Sequence, residues 1–271
     1  MKYYFPFSYG ILSRSKTILH KASFLILIIF PIFATGMFIK TDLKKDEQFI
    51  TILCGFVAMY CVYEIGYMYN DIITTQFEKM PSYWVPLEDV KRLRYKFELI
   101  IASRLVYIGI CLYVLEQLNN LYIVQFIIAL ILLYLIYAFH NSIRGRWNIV
   151  TDLGLQIFKY GAPLLLLSDL GKSGLYLLIV FLEVPFIRWI EYFGKKRLNI
   201  KLMEFININI LRIIYHLSMC IIALILKKNI YEMRILLIVS TVLLGFRIIS
   251  ICLLKNKKIS DLRMANFESV K

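Results

Sequence analysis

Long apolar runs separated by short polar connections dominate the hydrophobic pattern of the chain. Runs of about 20 apolar residues are long enough to cross the roughly 30 Å hydrocarbon core of a bilayer as helices. The pattern predicts eight spans, at residues 22–39, 49–69, 99–115, 121–139, 151–167, 175–189, 205–226 and 230–254. Lys159 and Glu183 interrupt the fifth and sixth runs. We therefore expect an all-α, polytopic membrane helix bundle that forms a single integral membrane domain over residues 1–271.

Composition and charge agree with a membrane protein. The chain is 60% hydrophobic and 18% charged, whereas soluble domains carry about 25% charged residues. The net charge of +14 is gathered mainly in the connections of one side. This asymmetry satisfies the positive-inside rule and predicts cytoplasmic N- and C-termini. The expected location is a bacterial cytoplasmic membrane. Membrane lipids and phosphorylated substrates are the expected partners on that face, rather than nucleic acid.

A polar, acidic stretch at residues 69–79 directly follows the second apolar run. Its carboxylates, Asp71 and Glu78, lie two helical turns apart and would share one side of a continuous helix. Asn70 can add an amide oxygen to them. Mg²⁺ prefers carboxylate oxygens together with substrate phosphates, so this stretch is a candidate metal site. The alternative is a solvated helix end.

A basic connection joins the fourth and fifth runs. Arg144 and Arg146 flank a glycine there, and two arginines in this arrangement can bind phosphate bidentately. The alternative is positive-inside anchoring beside Trp147. A polar stripe at helical spacing runs from this connection along the fifth span and ends at Lys159. We therefore expect Lys159 to extend the candidate phosphate site into the membrane.

Several charged residues lie inside the apolar runs. Intramembrane charges are costly and usually mark a cavity or a paired charge. Glu64 lies in the second run, and Lys159 is its candidate partner. The others are Arg104, Glu183, Arg212 and Arg247.

Between the second and third runs, residues 87–97 are typical of a short, basic, amphipathic helix at the membrane interface.

A second polar stretch, at residues 188–197, ends the sixth run. At these two stretches the chain resembles the UbiA superfamily of intramembrane prenyltransferases, which carries NDxxDxxxD at the end of helix two and DxxDxxGD at the end of helix six. The first stretch matches at Asn70 and Asp71 and conservatively at Glu78. It departs from the family motif at Thr74.

The second stretch is less similar to the family motif. Glu191 is a conservative match and Gly194 a full match, whereas Arg188 and Lys195 replace acids. Such replacements remove metal ligands and add fixed positive charge. The site would then bind phosphate directly and use one Mg²⁺ or none, where family members use two.

The resemblance implies two four-helix halves and a role for each candidate residue. Catalytic roles fall to Asp71, Glu78 and Glu191, and the Mg²⁺ ligands would be Asn70, Asp71 and Glu78. The residues expected to bind substrate phosphate are Arg144, Arg146, Arg188, Lys195 and Lys159.

The resulting hypothesis is an intramembrane transferase with a cytoplasm-facing site. Its substrates would be a prenyl diphosphate and an aromatic or lipid acceptor, or a phosphorylated small-molecule donor and polyprenyl phosphate. The second pair includes phosphoribosyl transfer for cell-surface glycan synthesis. One alternative is a non-catalytic protein that binds or transports polyprenyl phosphate. Another is a scaffold without a ligand, whose intramembrane charges would pair across a homo-oligomer interface.

Overall fold

The computed structural model describes residues 3–15, 17–77, 84–143, 147–193 and 207–254. All regular structure in these ranges is helical, which confirms the prediction of an all-α fold. The helices are α1 (Ser8–Arg14), α2 (Ile18–Phe38), α3 (Lys45–Phe77), α4 (Leu87–Tyr95), α5 (Phe97–Gln117), α6 (Ile123–Ser142), α7 (Asn148–Gly161), α8 (Leu170–Glu183), α9 (Pro185–Phe193), α10 (Ile208–Leu226) and α11 (Met233–Leu254).

Six of these helices are long and apolar enough to cross a membrane, namely α2, α3, α5, α6, α10 and α11. Large apolar side chains on their outer faces are more than half exposed, among them Leu105, Val106 and Ile128. A continuous apolar exterior of this kind suits lipid rather than water. The structure is therefore that of an integral membrane helix bundle.

The count of eight spans is not confirmed. The fifth predicted span, 151–167, is covered by α7, with 14 residues, and by a 3₁₀ turn at Ala162–Leu166. The sixth, 175–189, is divided between α8 and α9, because the helix is interrupted at Val184, just before Pro185. Proline lacks the N–H that a continuous helix needs at that position. Neither segment is a single helix of spanning length.

The α3 helix changes its geometry at its polar end. It is α-helical to Met68, forms a π turn at Tyr69–Ile73 and ends as a 3₁₀ helix at Thr74–Phe77. Asp71 therefore lies within the π turn, and π turns are frequent at functional sites. The expectation that Asp71 and Glu78 share one side assumed a regular α-helix, and Glu78 lies outside the described residues.

The α3 helix occupies the centre of the first part of the bundle, packed against α2, α5, α6 and the end of α7. The α10 and α11 helices form an antiparallel hairpin, and α11 packs on α2 and α8. The predicted amphipathic helix is observed as α4. Its Val90 and Leu93 side chains are buried against the bundle, while Lys91 and Arg92 are exposed.

Gly66 allows α6 to approach α3 closely. A Cβ atom at Gly66 would lie 2.4–2.5 Å from three ring atoms of Tyr137. This ring is itself held in T-shaped contacts, with centroids 5.1 Å from Tyr63 and 6.0 Å from Tyr67. In addition, the Asn141 amide donates to the Gly66 carbonyl oxygen at 3.1 Å. The helix contact therefore depends on the absence of a side chain.

We expect Gly66→Ala to lower the melting temperature of the purified protein in detergent. The overlap with a packed ring should cost about 1–3 kcal/mol of unfolding free energy, as overpacked cores do. Gly109→Ala is the matched control, because nothing lies within 4 Å of a Cβ at that helical position. The control should gain stability, since alanine favours a helix by about 0.5–1 kcal/mol over glycine. Equal melting temperatures for the two variants would contradict the close contact between Gly66 and the Tyr137 ring.

Candidate functional site

The Asp71 carboxylate lies in the π turn at the polar end of α3. Arg14 Nη2 donates to both of its oxygens, at 2.8 Å to Oδ1 and 2.7 Å to Oδ2. The Tyr9 hydroxyl donates to Oδ2 at 2.8 Å, and the Asn70 amide donates to Oδ1 at 3.2 Å. Only 1% of Asp71 is exposed. Donors of the protein, rather than water, therefore neutralise its charge.

Arg14 contacts two aromatic rings, and Tyr9 is kept in its protonated form. The Arg14 guanidinium carbon lies 4.1 Å from the ring centroid of Trp84 and 4.9 Å from that of Tyr67. Burial, followed by the negative charge of Asp71, raises the pKa of Tyr9 above its usual value. The Tyr9 hydroxyl consequently stays protonated and remains a donor, so Asp71 keeps this set of partners at neutral pH.

Glu64 lies two turns before Asp71 on α3 and is also paired with an arginine. Its Oε2 atom accepts a hydrogen bond from Arg104 Nε at 2.9 Å, and both side chains are fully buried. The prediction that Glu64 pairs with Lys159 is wrong, because α5 packs along α3 and brings Arg104 to this carboxylate. A buried ion pair is tolerated when further hydrogen bonds satisfy its remaining polar atoms.

Those further hydrogen bonds come from the N-terminal segment, which we define as residues 3–15. The backbone N–H groups of Phe7 and Gly10 donate to the two carboxylate oxygens, at 3.0 and 2.8 Å. The guanidinium group in turn donates to the carbonyl oxygens of Tyr4 and Tyr3, at 2.7 and 2.9 Å. The buried pair therefore fastens the N-terminal segment to α3 and α5.

A pocket of about 220 Å³ opens beside Arg14; we call it the cationic pocket. Its cationic side chains are Arg14 from the N-terminal segment, Lys159 from α7 and Arg188 from α9. Aromatic rings form part of the remaining wall, namely Phe24, Tyr60 and Tyr67. Lys159 and Arg188 were both predicted to bind phosphate, and the structure brings them to one pocket.

Within the described ranges, Lys159 and Arg188 form no ion pair. Lys159 is only 3% exposed, and its Nζ atom lies 4.7 Å from the ring centroid of Tyr63 and 5.8 Å from that of Tyr160. Such cation–π contacts stabilise an ammonium group but do not neutralise it. The nearby Asp71 carboxylate is already engaged by Arg14. Among its described lining residues the cationic pocket thus has three basic side chains and no carboxylate, a composition that suits an anion.

Glu191, the candidate acid of the second motif, is engaged elsewhere. Its two oxygens accept hydrogen bonds from Arg212 Nε and Nη2 of α10, at 2.5 and 2.6 Å. Glu191 is not among the residues that line the cationic pocket. The structure thus places Asp71 and Glu191 in two separate arginine–carboxylate pairs.

Four other predicted site residues, Glu78, Arg144, Arg146 and Lys195, lie outside the described residues. In the part of the chain that the structure describes, no group of three or more His, Cys, Asp or Glu side chains is placed to hold a metal ion. Of the predicted Mg²⁺ ligands, Asn70 and Asp71 are described, and their side chains are hydrogen-bonded to each other.

The contacts of the N-terminal segment are not predictable from the sequence pattern. In the sequence, Arg14 is one of many positive charges on one side of the predicted spans, and Tyr9 is one of 19 tyrosines. One signal is present in the sequence: Ser13, Arg14 and Ser15 form a polar group shortly before α2. Nothing in their spacing, however, indicates that they contact Asp71, 57 residues later along the chain.

Comparisons of the chain with protein-family models, with curated proteins and with solved structures find no match.

We expect Arg104→Gln to destabilise the protein strongly, because it leaves the buried Glu64 carboxylate without its charged partner. Removing one partner of a buried pair typically costs about 3–5 kcal/mol. Arg94→Gln is the matched control, since Arg94 is exposed and makes one long hydrogen bond, 3.4 Å, to the Ile72 carbonyl oxygen. Thermal unfolding in detergent measures both variants. A control that loses as much stability as Arg104→Gln would contradict the anchoring role of the buried pair.

Proposed function

We propose that the chain is an intramembrane transferase of the UbiA type that binds the phosphate end of a lipid or phosphorylated donor in the cationic pocket. The observation that carries this proposal is the meeting of Arg14, Lys159 and Arg188 around one small pocket with aromatic walls. Arginine and lysine are the residues that proteins use for phosphate. A membrane location of the pocket would let a long hydrocarbon tail extend into lipid.

The position of the pocket supports an arrangement in two halves. We take α7 with its 3₁₀ extension as a fifth membrane segment and α8 with α9 as a sixth, which gives eight segments in all. The pocket is then lined by the N-terminal segment, α2 and α3 from the first half and by α7 and α9 from the second. The UbiA resemblance implies a substrate site between two four-helix halves.

Arg14 has two alternative partners in this proposal. In the structure it neutralises Asp71, but it also lines the pocket. An entering phosphate group would compete with Asp71 for the guanidinium. As Arg14 turns towards the phosphate, the Asp71 carboxylate becomes available to a cation that accompanies the substrate.

The cation proposed for this position is Mg²⁺, and the residues that would hold it are Asn70, Asp71 and Glu78. Carboxylate and amide oxygens are the donor types that this ion prefers. When bound, the ion would supply charge neutralisation to the phosphate oxygens. We propose one Mg²⁺ or none, because Arg188 and Lys195 stand where the UbiA motif has acids.

The chain's own cations would then stabilise the departing group. In the proposed reaction, the bond between the donor carbon and the diphosphate oxygen breaks and its electron pair leaves with the diphosphate. A nucleophilic atom of the acceptor forms the new bond to that carbon, and any proton on that atom is released. Arg14, Lys159 and Arg188 lie where they would neutralise that charge, which is usually the largest catalytic contribution. Arg144, Arg146 and Lys195 are proposed to add to it. Glu191 would contribute by orienting Arg212 rather than by contacting substrate.

Two substrate pairs remain candidates for this site. One is a prenyl diphosphate with an aromatic or lipid acceptor, and the other is a phosphorylated sugar donor with polyprenyl phosphate. The excess of basic over acidic side chains in the pocket favours the second pair, because both of its members carry phosphate. The charge bias of the connections supports a cytoplasm-facing site in a bacterial cytoplasmic membrane, with both termini cytoplasmic.

A second candidate function is non-catalytic binding or transport of polyprenyl phosphate. The observation that favours it is the full engagement of Asp71 by Arg14, Tyr9 and Asn70. A carboxylate with this set of donors needs no metal ion. In this case Arg14 would stay on Asp71, and ligand binding would not depend on Mg²⁺.

Ligand-induced thermal stabilisation of the detergent-purified protein tests the proposal, since a ligand that binds the folded state raises its apparent stability. The panel contains a prenyl diphosphate, phosphoribosyl diphosphate and polyprenyl phosphate, each with and without Mg²⁺. We expect Mg²⁺ alone to have no effect and Mg²⁺ with one diphosphate donor to stabilise the protein. Release of diphosphate in the presence of the acceptor would identify a transferase.

Two lysine variants show whether the cationic pocket is the binding site. Lys159→Gln should weaken binding of the phosphate compound about 10- to 100-fold, because loss of a hydrogen bond to a charged group usually lowers affinity by about this factor. Lys228→Gln, an exposed lysine between α10 and α11, is the control and should bind normally. Stabilisation that is indifferent to Mg²⁺, without turnover, would identify the binding protein. An unchanged affinity of the Lys159→Gln variant for the phosphate compound would contradict both proposed functions, because both place the phosphate in the cationic pocket.

A further inference from the structure

We propose that a second groove, at the membrane surface, binds the headgroup of an anionic phospholipid. The groove has a volume of about 620 Å³ and lies between the N-terminal segment and α4. Tyr3 and Tyr4 form one side of it, and Lys91, Arg92 and Lys96 form the other. We call it the headgroup groove.

The position of α4 in the chain places this groove at the level of lipid headgroups. The α4 helix lies between α3 and α5, both of which are long and apolar enough to span the membrane. Its own outer surface keeps large apolar side chains exposed: Leu87 is 52% exposed, Tyr95 90% and the neighbouring Leu99 62%. A short helix with a basic face and exposed apolar residues lies in the membrane interface.

The chemistry of the groove fits an amphiphile with a negative headgroup. Among the described residues of its lining, the basic ones outnumber the one acid, Asp89, whose Oδ2 atom accepts a hydrogen bond from the Tyr3 hydroxyl at 2.9 Å. Basic groups beside the membrane surface attract anionic lipids. Its floor is apolar, because the buried side chains of Leu93 and Ile100 line it. A free phosphate ion would contact the basic rim but not this apolar floor, whereas a phospholipid would contact the rim with its headgroup and the floor with its apolar part.

The headgroup groove is distinct from the cationic pocket, since none of the residues described in the structure lines both. The inference therefore does not depend on the proposed transferase. A link between the two sites exists in the backbone of the N-terminal segment. The carbonyl oxygens of Tyr3 and Tyr4 accept hydrogen bonds from Arg104, so a lipid bound against these tyrosines would also hold the segment that carries Arg14.

Native mass spectrometry of the full-length protein, released from detergent, tests the inference by counting lipid adducts. The probes are dioleoylphosphatidylglycerol and dioleoylphosphatidylcholine, which differ in headgroup charge but share their acyl chains. We expect the anionic lipid to bind more tightly. The variant Lys91→Gln/Arg92→Gln should weaken binding of the anionic lipid about tenfold and leave that of the neutral lipid unchanged, because only the headgroup attraction is removed.

The control is Lys228→Gln/Arg234→Gln, which removes one exposed lysine and one exposed arginine near the connection of α10 and α11. It should leave binding of the anionic lipid unchanged. Three results would overturn the inference: equal binding of the two lipids, an equal loss in the control, or displacement of the lipid by millimolar inorganic phosphate. The last result would identify a site for a small anion instead. Each variant is first checked for an unchanged melting temperature.

Discussion

The structure depends on the need to neutralise two buried carboxylates on α3. Glu64 and Asp71 have 0% and 1% of their surface exposed, and an unpaired charge in such surroundings is very costly. Each is neutralised by an arginine from another part of the chain, Arg104 from α5 and Arg14 from the N-terminal segment. Because the backbone of that segment also bonds to the first pair, the two carboxylates together hold it against the bundle.

Attachment of the N-terminal segment creates the cationic pocket. Gly10, Arg14 and Ser15 of this segment line the pocket beside Lys159 and Arg188. Arg14 thus bonds to Asp71 at the polar end of α3 and also forms part of the candidate anion site. In the proposed transferase the same arginine would give the site two states, with Arg14 on Asp71 or on a phosphate group. The proposed transferase and the alternative binding protein differ in whether the second state is reached.

The sequence predicts the fold better than it predicts the site. Apolar runs of bilayer length identify α2, α3, α5, α6, α10 and α11 because length and hydrophobicity are local properties. Hydrophobicity alone does not give the breaks at Ala162 and Val184, which precede Pro163 and Pro185. Lys159 and Arg188 were identified as phosphate-binding candidates from charge in an apolar context and from a motif. The arginine partners of Glu64 and Asp71 cannot be identified in this way. The Glu64–Arg104 and Arg14–Asp71 contacts join residues 40 and 57 positions apart, and no sequence periodicity indicates them.

The most direct test of this account is a double-mutant cycle on Asp71 and Arg14. Unfolding free energies would be measured in detergent for Asp71→Asn, for Arg14→Gln and for the double variant. Contacting charged residues show coupling of about 0.5–3 kcal/mol, and with Asp71 buried and the Arg14 side chain 23% exposed, we predict about 1 kcal/mol or more. The double variant should therefore be more stable than the sum of the single losses implies. Strictly additive losses would contradict the claim that Arg14 neutralises Asp71.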